Sequence, residues 1–108
     1  EDGHAIPYTH CLWATGASSH SLANIAMRRR GLAVSDRGWI RVDKTLKSLS
    51  HPFVFAAGDC AQMEGLDGGQ KSPPKAGVYA VRAGPILIEN LAKMLALLDD
   101  DDENSKSE

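Results

Sequence analysis

One stretch constrains this chain more than any other: Phe53-Val54-Phe55-Ala56-Ala57-Gly58-Asp59-Cys60-Ala61. An apolar run of strand length ends at a glycine, and a single carboxylate follows. The run is too short for an amphipathic helix and has no polar alternation, which predicts a strand buried on both faces of a parallel sheet. Ligands of open parallel sheets bind beyond the carboxyl ends of the strands, and that is where Asp59 would stand. Gly58 would let a ligand approach the backbone closely. The carboxylate of Asp59 accepts hydrogen bonds and suits a hydroxylated ligand. Equally, Asp59 could cap the turn or helix that follows.

Two further segments share this character. Tyr8 to Ala14 is a short strand candidate, and Thr15-Gly16 would end it at the same sheet edge as Asp59, or simply form a tight turn. Pro73-Pro74 opens the last element, proline being well placed in a first helical turn. From Lys75 the pattern is helical, with Val81, Ile88, Leu91, Leu95 and Leu98 forming an apolar stripe. Gly84-Pro85 predicts a kink or a break in that helix.

Phe55 to Ala61 resembles the second flavin-binding motif of pyridine nucleotide-disulfide oxidoreductase-like flavoproteins. Cys11-Leu12-Trp13-Ala14-Thr15-Gly16-Ala17 resembles their Ala-Thr-Gly strand end, and Pro73 to Arg82 their helix start facing the flavin ring. The wording of Gly38 to Asp43 and of Lys75 to Leu87 is similar to NADH dehydrogenase-like members, including the flavoprotein module fused to some selenide, water dikinases. The resemblance implies an α/β, Rossmann-like, three-layer FAD/NAD(P)-binding domain, of which residues 1–98 would be the carboxy-terminal segment. It implies an enzyme that binds FAD, accepts hydride from NAD(P)H through a domain outside this chain, and passes electrons to a quinone or another acceptor. The cofactor-binding residues it implies are Thr15, Gly16, Gly58, Asp59, Lys75 and Ala76, with no catalytic side chain and no metal ligand. In that reading Asp59 holds a ribityl hydroxyl. Lys75 and the helix amino terminus would stabilise the negative charge of a reduced ring, although Lys75 also suits a solvated surface position. The alternative is a non-catalytic flavin-binding or interaction module.

The chain has no Gly-x-Gly-x-x-Gly fingerprint, so the expected partner is the missing amino-terminal half of the same protein. Alone, the chain is expected to be marginally folded or self-associating, because its strand edges would stay open.

Composition excludes several classes. At 108 residues the chain holds at most one domain, and a formal charge of −2 gives no sign of nucleic-acid binding. No apolar run reaches bilayer-spanning length. The expected location is the cytoplasm or an organellar matrix, or the periphery of a membrane. Cys11 and Cys60 are far apart and form no Cys-x-x-Cys pair, arguing against a disulfide framework or a zinc site. Neither is expected to act in the redox chemistry. His10-Cys11 has no further ligands around it. Ser18-Ser19-His20-Ser21 lacks the context of a nucleophile and base, and its serines are expected to cap a helix over Leu22 to Arg30 that Gly31 terminates.

Leu32 to Asp43 predicts a hairpin turning at Asp36-Arg37-Gly38, and Thr45 to Leu49 a connector with two leucines to bury. His51-Pro52 favours an extended turn, and residues 61–72 read as a glycine-rich loop. Residues 99–108, acidic and serine-rich, are expected to be a disordered tail.

Overall fold

The computed structural model describes residues 2–105. Its elements run α1 (Ser21–Arg30), β1 (Ile40–Val42), a 3₁₀ turn at Gly58–Cys60, β2 (Ala61–Met63), a second 3₁₀ turn at Asp67–Gly69, and α2 (Gly77–Ser105).

The hairpin forms as its sequence predicts. Gly38 adopts φ 82, the left-handed conformation glycine takes without strain. Its N–H donates to the Ser35 carbonyl at 2.8 Å, and Ser35 N–H donates to the Trp39 carbonyl at 2.8 Å. The turn thereby delivers β1 next to Val34, its antiparallel bridge partner across Ile40. A Cβ on Gly38 would also collide with the side chain of Ser19, so this glycine admits the start of α1 to the hairpin.

The parallel pair of the fold is β1 with β2, in the register Ile40–Ala61, Arg41–Gln62 and Val42–Met63. This corrects two expectations. Phe53 to Ala57 is not a strand buried on both faces: it makes one antiparallel bridge, Lys47 to Phe55, and Phe53 is 66% exposed. The parallel strand instead lies past Gly58-Asp59, inside the segment expected to be a glycine-rich loop. The reason is local. The chain turns through the 3₁₀ segment at Gly58–Cys60, and only then do N–H and C=O groups face β1. Tyr8 to Ala14 forms no strand at all, and its side chains are exposed.

The core is small: Val42, Leu46, Ala56 and Ala61, with Ile40, Ala57, Met63, Ala83 and Leu87 against it. Of the two connector leucines, Leu46 is 2% exposed while Leu49 points outward. Leu46 sits at φ 68, a conformation that costs a branched residue about 1–3 kcal/mol. Burial of its side chain in the core offsets that strain.

Helix α1 starts one residue earlier than expected. Its N-cap is His20 rather than a serine, with Nδ1 accepting from Leu22 N–H at 3.1 Å. Gly31 ends it at φ 70, after three arginines whose charge complements the helix carboxyl end.

Helix α2 differs from expectation in three ways. Pro73 and Pro74 lie in the extended strap before it rather than in its first turn, and it is continuous through Gly84-Pro85 instead of broken there. The proline leaves the Val81 carbonyl without its helical donor, and Val81 is exposed, so water can satisfy that group. The helix also continues through Asp99–Ser105, where a disordered tail was expected; residues 106–108 lie outside the described residues. Its packed face is Ala80, Ala83, Leu87 and Asn90, with the Asn90 amide donating to the Thr45 carbonyl at 2.9 Å. The stripe through Val81, Ile88 and Leu95 faces outward. Small side chains face the core because the 3₁₀ turn lies close: a Cβ on Gly58 would stand 3.2 Å from the Ala80 Cβ.

Candidate functional site

Two depressions meet at the strap Ser72-Pro73-Pro74, which lines both of them. The smaller, about 40 Å³, is formed by Gly58, Asp59, Ala61, Ala76 and Tyr79 among others. The larger, about 460 Å³, is lined by Gly16, Ala17, Arg37, Trp39, Gln62, Lys71 and Lys75 in addition to the strap. Five of the six sequence-predicted residues therefore gather around one stretch of backbone. Thr15 alone lines neither depression and is exposed beside Gly16.

Asp59 occupies the middle of the 3₁₀ turn, with its side chain exposed, and no hydrogen bond among the described residues uses its carboxylate. Both oxygens are therefore open to hydroxyl donors. Gly58 stands at φ 72, so this position would strain any other residue. The shape needs a glycine here for its backbone and for the contact with Ala80, which is a different reason from close ligand approach.

Lys75 is half-buried. Its ammonium donates to the Ala61 carbonyl at the start of β2 and stands 4.6 Å from the centroid of the Trp39 ring. Burial pulls its pKa below the ordinary lysine value, opposed by the negative charge of Asp59. An ammonium desolvated in this way gains from any anion placed beside it. Ala76 follows at the entrance to α2, where its carbonyl accepts from Tyr79 N–H at 3.0 Å. The first N–H groups of a helix have no partner in its own ladder, so this end of α2 offers donors next to Lys75.

Sequence reasoning missed Trp39, Arg37 and Lys71 as cleft residues. Trp39 was legible as a strand residue of the hairpin, but nothing in the linear order connects it with Lys75. Cys11 and Cys60 are free, exposed thiols, and Cys60 Sγ lies 3.2 Å from the Ala57 carbonyl. Among the described residues no cluster of metal-ligating side chains exists, and no helix is long and apolar enough to cross a membrane.

A separate apolar cleft of about 530 Å³ lies between α1 and the hairpin, lined by Leu22, Ala26, Leu32, Ile40 and Val54 on its apolar walls. It includes none of the six predicted residues.

A family model described as pyridine nucleotide-disulphide oxidoreductase matches residues 1–84. The chain belongs to that family. Comparison with curated proteins and with solved structures finds no match. Membership in the pyridine nucleotide-disulphide oxidoreductases implies the FAD/NAD-binding Rossmann-like fold and supports a flavin-dependent oxidoreductase domain. The β1–β2 parallel pair with its helices is a partial α/β arrangement of that kind.

Proposed function

We propose that this chain contributes the carboxy-terminal part of an FAD site in an NAD(P)H-dependent oxidoreductase. The observation that carries the reading is the convergence of Gly16, Gly58, Asp59, Lys75 and Ala76 on two adjoining depressions, in a chain of this family. The donor set fits FAD: an unengaged carboxylate for ribityl hydroxyls, an ammonium, and a helix amino terminus for an electron-rich ring edge. The smaller depression is too confined for a flavin ring. The adjoining cleft of about 460 Å³ is within the usual range of small-molecule sites, roughly 300–1,000 Å³. When bound, FAD supplies the capacity to accept hydride from a nicotinamide and release electrons to an acceptor.

The chain's own residues would then bind and tune. Asp59 would accept one or two hydrogen bonds from the ribityl chain. Lys75, fixed by the Ala61 carbonyl and the Trp39 ring, would hold a positive charge at the mouth of α2. Within the family, the wording of Gly38 to Asp43 and of Lys75 to Leu87 favours the NADH dehydrogenase-like members, with the flavoprotein module of a selenide, water dikinase fusion as the alternative. The remaining walls of the site and the nicotinamide domain would come from the same protein's other segments.

The test is flavin content of the whole protein carrying Asp59→Ala. Loss of one charge-assisted hydrogen bond, about 1.5–3 kcal/mol, should weaken FAD binding by about tenfold or more. Stoichiometric flavin with unchanged affinity would refute the assignment of Asp59. A spectrum that NADH fails to bleach in the unsubstituted protein would favour the non-catalytic module instead.

A further inference from the structure

Helix α2 packs on the rest of the fold through its amino half, as far as Leu87 and Asn90. Beyond that point residues 91–101 are exposed, apart from the half-buried Met94. Leu91, Leu95 and Leu98 share one side of this projecting half and are 37%, 61% and 40% exposed. Glu89 and Lys93, joined by an ion pair of 2.6 Å, occupy the opposite side. Asp99 and Asp101 follow the leucines in the last turns of the helix. The backbone dipole is already negative there, so each carboxylate gains from a cation placed beside it.

The apolar cleft of about 530 Å³ between α1 and the hairpin carries the complementary pattern. Leu22 and Ala26 form its α1 wall, Arg30 ends that wall, and Ile40 and Val54 add to its apolar lining. Among the described residues no carboxylate lines it. Arg29 is exposed next to Arg30, and neither forms an ion pair among the described residues. The spacing agrees as well. Eight positions separate Leu22 from Arg30 and eight separate Leu91 from Asp99, about 12 Å along each helix. Laid parallel to α1, an α2 helix would set its leucines on the apolar wall and its Asp99 and Asp101 beside Arg29 and Arg30. No residue of α2 lines the cleft of its own copy, and the helix is continuous. The helix that fits therefore belongs to another molecule.

We propose that the carboxyl half of α2 from a second copy of this chain docks in the cleft between α1 and the hairpin. The mode is an amphipathic helix in an apolar groove, with Leu91, Leu95 and Leu98 as anchors. Asp99 and Asp101 fix its direction by pairing with Arg29 and Arg30. Each copy gives one helix and receives one, the exchange by which a two-fold contact closes at two chains. The inference goes beyond the flavin assignment and uses none of its residues.

The test is sedimentation velocity of the full 108-residue chain over a range of concentrations, at low and at raised salt. The expected result is a monomer–dimer equilibrium that weakens as salt screens the charge pairs. Leu95→Asp changes an exposed side chain and should weaken the dimer by at least about tenfold. Arg29→Glu/Arg30→Glu and Asp99→Lys/Asp101→Lys should each weaken it too. Mixing these two variants should restore the dimer, because every helix in the mixed pair then meets a cleft of opposite charge. A variant that had lost its fold would not recover on mixing, so recovery separates docking from damage. A chain that stays monomeric throughout, or a dimer indifferent to Leu95→Asp, overturns the proposal. So does a dimer undiminished in Arg29→Glu/Arg30→Glu, which pairing of two α2 helices or of strand edges would give.

Discussion

Trp13 and Trp39 lie in segments that read alike, each a short apolar and aromatic run closed by turn residues, yet Trp13 is 85% exposed and Trp39 is 7% exposed. Around Trp39, the Asp36-Arg37-Gly38 turn returns the chain on itself, and β1 meets Val34, Ser48 and β2. Around Trp13, residues 8–14 meet no strand. Strand propensity alone stabilises nothing, because an extended segment orders only when its N–H and C=O groups are paired. The hairpin finds its partners a few residues away at small loop entropy, whereas residues 8–14 have no such neighbour.

The sharpest way to break this comparison is to truncate one leucine in each region. Leu46→Ala should cost about 2–5 kcal/mol, which can unfold so small a domain, whereas Leu12→Ala, at a side chain 95% exposed, should stay within about 0.5 kcal/mol. Denaturant melts of the two variants decide it. A comparable loss from both would mean that residues 8–14 are packed in solution.

Glycine gives the next contrast. Gly38→Ala meets both a left-handed backbone and the Ser19 side chain and should cost about 1–3 kcal/mol, while Gly16→Ala meets nothing within 4 Å and should change stability by only a few tenths. Thermal unfolding of the pair is the measurement. An equal effect would show that the Gly38 turn does not fix the hairpin.

Acid should weaken the region around β1. The carboxyl of Glu64 is held low by its hydrogen bond from Arg41, against the opposing effect of burial. Burial by itself pushes Asp43 up, but hydrogen bonds from the Thr45 hydroxyl and from the Thr45 and Lys47 N–H groups outweigh it together, and its pKa is lowered. Both groups thus stabilise the fold above the ordinary carboxylate range, near pH 4, and lose that contribution as pH falls through their folded values. Asp43→Asn should flatten the acid limb of the stability profile. An unchanged acid limb in that variant would remove Asp43 from the turn's energetics.

The smallest effect is optical. Acrylamide should quench the Trp39→Phe variant, which retains Trp13, far more steeply than the Trp13→Phe variant, which retains Trp39. Equal quenching would erase the distinction between the two regions.

Several features were legible in the linear order because each is decided within a few residues. The glycine at φ 82 in the hairpin turn, the end of α1 at Gly31, and the existence of a long last helix are of this kind. The three motifs that resemble the flavoprotein family are likewise contiguous runs, and residues 1–84 match the family's model. Pairing was decided only in three dimensions. An apolar run such as Phe53 to Ala57 states that burial is favourable but carries no record of which edge will hydrogen-bond, and the 3₁₀ turn handed that edge to Ala61–Met63. The face of α2 that packs was set by the close approach of Gly58, which admits Ala80 and Ala83 and turns the larger Val81 and Ile88 outward. The placement of Lys75 over Trp39, 36 positions away in the chain, needed both the hairpin and the strap to be in place, since a cation recognises a ring by proximity and not by spacing.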